Sequence, residues 1–198
     1  MSSPLVRPAG IGSRAPKHRR SERALSVRER GVMLYAMVGV SAILIQAIAR
    51  LAPLAWEPWV SGSMNAAQIA IYLGWVGLNA YAEGYRAFQL RWAPRVVQRA
   101  YYVGRHGSTL EACLAPMYSM GLFGGSRRSM LVSWTLLLCV ALAVLVVRQF
   151  PQPWRGIVDG GVVVALCWGL IALWRNVARW WNGYAPIPAD LSSQAHGI

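Results

Sequence analysis

Four apolar runs, each close to the length that crosses a lipid bilayer, constrain this chain more than any other feature of its sequence. They cover residues 31–49, 64–82, 130–147 and 157–174. A hydrocarbon core of about 30 Å requires roughly 20 predominantly apolar residues in a helix. Inside the bilayer every backbone polar group must bond within the protein, which one such run can achieve only as a helix. The sequence therefore predicts an all-α, polytopic membrane protein with four transmembrane helices.

The overall composition agrees with a single membrane domain. Of the 198 residues, 56% are hydrophobic and 14% are charged, a balance too apolar for an ordinary soluble domain. We expect that domain to cover residues 31–184, between a basic N-terminal tail of residues 1–30 and a C-terminal tail of residues 185–198. Both tails are expected to be largely disordered. Transit peptides are also rich in Arg and Ser and poor in acids, so the N-terminal tail is open to interpretation as a targeting peptide.

The basic residues are distributed unevenly around the four runs. Seventeen of the twenty lie in the N-terminal tail, in the loop of residues 83–129 and after the fourth run. Because cytoplasmic loops carry an excess of Lys and Arg, both termini are predicted to face the cytoplasm. The basic residues flank apolar runs, so the net charge of +13 indicates the bilayer and its anionic lipids as partners, and not nucleic acid. We expect a multi-pass protein of a bacterial inner membrane.

The stretch Met64–Trp92 contains no proline and is predicted to form one long helix with two different faces. At helical spacing its small residues fall on one side, which predicts close packing against a neighbouring helix. This small face consists of Ala66, Ala70, Gly74 and Gly77, with Gly84 one turn or more beyond them. The opposite side is polar and aromatic, and it offers hydrogen-bonding groups to a partner. This polar face consists of Gln68, Tyr72, Trp75, Asn79, Glu83 and Arg86.

The loop of residues 83–129 is predicted to contain an interfacial amphipathic helix. Pro94 is expected to end or kink the long helix, because proline lacks a backbone donor. Within the following residues, Pro94–Val103, helical spacing places the polar residues Arg95, Gln98 and Arg99 near one face and apolar residues on the rest, as in a helix that rests on a membrane. Ser108 and Glu111 have the spacing of a capping box. The apolar segment Ala112–Phe123 is too short to span, which leaves open whether it is interfacial or re-entrant.

Candidate binding residues lie on the polar face of the long helix and in this basic loop. We expect them to bind a partner protein or a lipid, and they are Gln68, Tyr72, Asn79, Glu83, Arg86, Arg95, Arg99, Arg127 and Arg128. For Glu83 and Arg86 two interpretations stay open, a polar site at the cytoplasmic mouth or a surface ion pair. Asp159 is expected to cap the fourth helix or to pair with Arg155.

The sequence offers little for catalysis or cofactor binding. None of the three histidines, His18, His106 and His196, falls in an apolar run, which argues against histidine-ligated heme. The three cysteines are scattered, and seven isolated acidic residues do not suggest a metal centre. No phosphate-loop, zincin or hydrolase motif is present. We therefore predict no cofactor, no metal and no catalytic residue.

These observations favour a function in binding over one in catalysis. We expect an accessory subunit or assembly factor of a larger membrane complex, which contacts other membrane subunits or copies of itself through the long helix and the 83–129 loop. A small-solute or ion transporter working as an oligomer is an alternative. A third is an enzyme that uses Glu83 and Arg86 on a lipid headgroup.

Overall fold

The computed structural model describes residues 26–124 and 127–181. Within these residues 87% are helical and no strand is formed, which confirms the all-α prediction. The predicted C-terminal tail and all but the last residues of the predicted N-terminal tail lie outside the described ranges. The helical elements in chain order are α1 (Val27–Val60), α2 (Ala66–Asn79), a π-helical segment (Ala80–Trp92), α3 (Ala93–His106), α4 (Thr109–Cys113), α5 (Ala115–Ser119), α6 (Arg127–Val147) and α7 (Trp154–Trp181).

Three helices are long and apolar enough to span a membrane. They are α1, the Met130–Val147 part of α6, and α7, and they contain three of the four predicted runs. The predicted helix Met64–Trp92 is present as a continuous helical path from Ala66 onward, but it changes type. Its α-helical part, α2, has 14 residues, and the π-helical segment continues it for 13 more.

Helix α1 is longer than its apolar run predicted. It continues through Pro53 and Pro58, beyond the end of the predicted run at residue 49. Its 34 residues extend over about 51 Å at 1.5 Å per residue. Pro58 cannot donate to the carbonyl of Leu54 one turn earlier. The Gln152 side chain donates to that carbonyl instead, at 3.4 Å, so a neighbouring connection replaces the missing bond.

Helix α7 organises the bundle because it packs along both α1 and the α2–π path. It runs antiparallel to α1, since Gly156 lies against Pro58 at one end and Trp174 donates to the Ser41 hydroxyl at 3.2 Å farther along. It runs parallel to α2 and the π-helical segment. The contacting pairs advance in the same direction along both helical elements, from Tyr72–Gly160 to Phe88–Gly169.

The apolar face of α3 is covered by protein and does not form the expected membrane-resting surface. Pro94 is the second residue of α3, directly after the π-helical segment, and the helical path continues through it, so it does not end the long helix as one prediction held. The main buried cluster forms where α3 meets α1 and α7. It contains Met33, Ala36, Met37 and Val40 of α1, Val96, Val97, Ala100 and Val103 of α3, and Leu173, Val177 and Trp180 of α7.

The segment between α3 and α6 turns back onto α1. Ser108 and Glu111 form the predicted capping box at the start of α4. The Tyr35 hydroxyl donates to the Cys113 carbonyl at 3.1 Å. Pro116 at the start of α5 lies directly against Gly39, near the middle of the predicted first run. This apolar segment therefore contacts α1 along one side. Its sequence left open whether it rests at the membrane interface or enters the protein.

Helix α6 stands apart from the bundle. None of the residues Met130–Val147 is buried, and few residues of α6 approach another helix. Its first turns touch the preceding turn, where Trp134 donates to the Leu122 carbonyl at 3.3 Å. After its last turn, Gln152 joins the connection to α1. The helix is thus fixed near both ends while its length remains uncovered by the described chain.

Candidate functional site

The polar and aromatic face of α2 packs against glycines of α7. The Tyr72 hydroxyl donates to the Ala55 carbonyl at 3.1 Å, and Trp75 Nε1 donates to the Val158 carbonyl at 3.4 Å. A Cβ atom on Gly161 would lie 2.6 Å from Trp75 Nε1 and 2.8 Å from Asn79 Nδ2. The large side chains thus occupy the space that the glycines leave. Tyr72 and Asn79, predicted to bind a partner, are used inside the chain.

The small face of α2 is exposed in the described chain, and no described element makes the predicted close packing at Gly74 or Gly77. Ala66, Ala70, Gly74 and Gly77 are all exposed. A Cβ atom on Gly74 or Gly77 would have no neighbouring atom within 4 Å. The physical reason is that α7 supplies the glycines of the interface, so α2 contributes its large side chains there.

Gln68 belongs to the end of the helix and does not lie deep in the bundle. Its Oε1 accepts a hydrogen bond from the Asn65 backbone N–H at 2.9 Å. The Asn65 side chain accepts one from the Gln68 N–H, also at 2.9 Å. These reciprocal bonds form a capping box, which satisfies two donors at the start of α2. Gln68 therefore caps α2 in the described chain, and its role in partner binding stays a prediction.

Glu83 and Arg86 are exposed on the π-helical segment, and they form no ion pair with each other. In a π-helix the backbone bonds run from residue i to i+5, so a spacing of three no longer brings two side chains together as it does in an α-helix. The same segment packs on α7 through Gly84. A Cβ atom there would lie 3.0 Å from the Cβ and Cγ atoms of Trp168.

The basic residues of the 83–129 loop do not converge on one site. Arg95 and Arg127 are exposed. The Arg99 guanidinium lies against Gly121, whose φ of +79° makes the turn before α6. The Arg128 side chain lies outside the described part of the chain. Arg105 donates to the Tyr101 hydroxyl at 2.6 Å, and this hydrogen bond raises the pKa of Arg105 above its ordinary value.

The residues that make the α7 interface close were not among the predicted helix-packing residues, although the GxxxG spacing of Gly156 and Gly160 is a weak signal of such packing. They are the glycines Gly156, Gly160, Gly161 and Gly169, which lie against Pro58, Tyr72, Trp75 and Phe88, respectively. Their spacing carried the signal, since Gly156 and Gly160 are four apart, as are Gly161, Ala165 and Gly169 in succession. Small residues at such spacing let two backbones approach closely.

One buried ion pair lies at the start of α7, as one of the two predictions for Asp159 required. The Arg155 Nε atom is 3.7 Å from the Asp159 Oδ2 atom, and the Asp159 side chain is 6% exposed. At that separation the pair is electrostatic, without a hydrogen bond between these two atoms. Among the described residues, no group of three or more His, Cys, Asp or Glu side chains is placed to hold a metal ion.

Among its exposed surfaces, the described chain leaves the small face of α2 and the apolar length of α6 uncovered. Surfaces of this kind contact lipids or other membrane helices. Comparison of the chain with protein families, with curated proteins and with solved structures gave no match in any of the three.

Proposed function

We propose that this protein is an integral membrane accessory subunit or assembly factor that binds another membrane protein through the small face of α2. A single observation carries the proposal. The packing within the chain uses the opposite face of α2, and on the small face a Cβ atom built on Gly74 or Gly77 would meet nothing within 4 Å. The partner that fits is a transmembrane helix of another subunit.

The small face suits a helix better than it suits lipid. Helices in a bilayer gain little from the hydrophobic effect and associate through close packing and interhelical hydrogen bonds. Glycine and alanine allow the two backbones to approach, and each additional pair of atoms in contact gains about 0.1–0.2 kcal/mol. The backbone of an ordered partner helix can pack closely along the whole small face, whereas mobile lipid chains pack against it less closely.

Helix α6 supports the same proposal with a second surface. Its Met130–Val147 part is the most hydrophobic of the three candidate spans, and no residue of that part is buried. The ends of α6 are tied to the bundle through Trp134 and through the Gln152 connection. A helix held in this way presents its full apolar length beside the bundle, where a subunit can pack against it.

We further propose four membrane crossings in a bacterial inner membrane, with both termini in the cytoplasm. The second crossing is formed by α2 and the π-helical segment together. Support comes from the distribution of basic residues and from the contact between the start of α1 and the end of α7. There the Arg30 guanidinium lies 5.6 Å from the ring centroid of Trp181. The basic side of the 83–129 loop then faces the cytoplasm.

The test is purification of the full chain from native membranes in a mild detergent, followed by a native gel and mass spectrometry of the band. We expect a discrete complex that contains other membrane proteins. The double variant Gly74→Leu/Gly77→Leu should release those proteins, because leucine side chains keep the two backbones apart. A photocrosslinking residue at Leu73, next to the small face, should join the chain to the same partner.

Ala42→Leu is the matched control, since Ala42 is a small exposed residue on another helix. It should leave the complex intact. If the wild-type protein migrates as a small species that carries only lipid, or if both variants retain the same partners, the proposal is wrong. Solute flux into proteoliposomes that is abolished by Asn79→Leu or Glu83→Gln would favour the transporter alternative instead.

A further inference from the structure

A cavity of about 160 Å³ lies where the π-helical segment and the start of α3 meet the last turns of α7. It is separate from the small face of α2 and from α6. Its wall is partly apolar and partly polar, and none of the described residues that line it is acidic. The lining residues used below are Gln89, Leu90, Pro94, Arg175, Asn176 and Arg179.

Two arginines on α7 give the cavity its charge. Arg175 and Arg179 are four residues apart, so they extend from the same face of the helix. Both are exposed, and neither makes an ion pair with another described residue. Two like charges at this spacing repel each other. An anion placed between them removes that repulsion and accepts hydrogen bonds from both guanidinium groups.

Gln89 adds a neutral donor to the same cavity. Its Oε1 accepts a hydrogen bond from Trp168 Nε1 at 2.8 Å. Because the oxygen of this amide is held by Trp168, its NH₂ group points away and keeps its donors. Asn176 is arranged differently, since its Nδ2 donates to the Ala172 carbonyl at 2.8 Å. The set of two guanidinium groups and one amide suits an anion with several oxygen atoms.

The position of the cavity along α7 narrows the class of anion. Residues 160–174 carry no charge, and Arg175 is the first charged residue after them. If α7 spans the bilayer over this uncharged stretch, the next turn lies at the depth of the lipid phosphates. Leu90 and Pro94 supply an apolar part of the wall. A phosphate joined to an apolar group matches both halves of the lining.

We propose that this cavity binds a phosphate group, with Arg175 and Arg179 as its main ligands and the Gln89 amide as a further donor. The planar fork of an arginine matches two phosphate oxygens at once, which a lysine cannot do. The phosphate comes from an anionic phospholipid headgroup or from a soluble phosphate compound. This proposal does not depend on the partner-binding function, because the two surfaces share no residue.

The experiment uses the full chain in a phosphate-free maltoside detergent. Phosphatidylglycerol is titrated in and its binding is followed by native mass spectrometry, with diacylglycerol as the phosphate-free control. Inorganic phosphate is titrated in a parallel arm by calorimetry. We expect Arg175→Gln/Arg179→Gln to weaken phosphatidylglycerol binding by about tenfold or more. Arg175→Lys/Arg179→Lys, which keeps the charge and loses the fork, should give an intermediate loss.

Arg50→Gln/Arg148→Gln is the charge-matched control, since both residues are exposed and lie outside the cavity. It should change binding by less than about threefold. Binding of phosphatidylglycerol but not of inorganic phosphate identifies the ligand as a lipid headgroup, and binding of both identifies a general phosphate site. The proposal is overturned if the two glutamine pairs weaken binding equally, if Arg175→Gln/Arg179→Gln changes nothing, or if neither phosphate form binds to the wild-type protein.

Discussion

Gly160 of α7 lies beneath the phenol ring of Tyr72 on α2, so closely that a Cβ atom on the glycine would be 2.6 Å from the Tyr72 Cζ atom. The Tyr72 hydroxyl continues past this point to donate to the Ala55 carbonyl of α1 at 3.1 Å. One side chain therefore joins three helices. It can do so only because the residue beneath its ring has no side chain.

We expect Gly160→Ala to destabilise the protein by about 1–3 kcal/mol, because the added methyl group displaces the Tyr72 ring or separates the helices. Thermal unfolding in detergent, followed by circular dichroism, measures the change. Gly77→Ala is the matched control on α2, since its new Cβ atom would meet nothing within 4 Å. Equal unfolding temperatures for the two variants would contradict the close contact.

The Tyr72 hydrogen bond gives a second prediction. Tyr72→Phe keeps the ring and removes the donor to Ala55, and it should cost about 0.5–1.5 kcal/mol of unfolding free energy. Tyr85→Phe is the control, because Tyr85 is exposed and its hydroxyl bonds to no described residue. The same thermal assay applies. If Tyr85→Phe lowers the unfolding free energy as much as Tyr72→Phe does, the hydrogen bond from Tyr72 to Ala55 is not the source of the stabilisation.

The contact between Gly39 and Pro116 predicts a compensating pair of substitutions. In Gly39→Ala the new Cβ atom would lie 2.9 Å from the Pro116 Cβ atom and closer still to its Cγ atom, so α5 must move away from α1. We expect a loss of about 1–3 kcal/mol. Adding Pro116→Ala removes the ring and should recover part of that loss, a coupling that a double-mutant cycle measures. Strict additivity would mean that the two residues do not touch.

The connection between α6 and α7 depends on one glutamine. Gln152 donates to the Leu54 carbonyl and to Glu57 Oε2, the latter at 2.8 Å, and it accepts a bond from the Gly156 N–H at 3.1 Å. Gln152→Ala should cost about 1–2 kcal/mol and increase proteolysis of this connection. Gln149→Ala, three residues earlier, should have little effect, since no described residue bonds to the Gln149 side chain. Comparable proteolysis of both variants would argue against the bonding pattern.

The sequence was sufficient for features that depend on short-range chemistry. The apolar run of residues 130–147 coincides with the Met130–Val147 span of α6, the Ser108–Glu111 capping box is present, and Asp159 pairs with Arg155. Each follows from hydrophobic length, from a cap or from helical spacing. In each case the decisive residues lie within one element.

Features that depend on contacts between residues far apart in the sequence could not be predicted in this way. Helix α1 continues through Pro58, where Gln152, far along the chain, donates to the Leu54 carbonyl that the proline leaves unbonded. The choice between the two faces of α2 depended on where the glycines of α7 lie, and Gly160 favours the aromatic face. Likewise, the apolar face of α3 could serve a membrane or a protein core equally well. Only the fold shows that Val96 lies in the core.

The parallel arrangement of α2 and α7 has a consequence for the order of events during synthesis. Two parallel neighbours require the chain to return between them, and α6 carries it back. Roughly 80 residues separate Asn79 from Gly160, so a ribosome adding 5–20 residues per second needs about 4–16 s to make the second helix after the first. Throughout that interval the aromatic face of α2 has no glycines to pack on. The final packing of α2 on α7 therefore forms only after α7 has been synthesised.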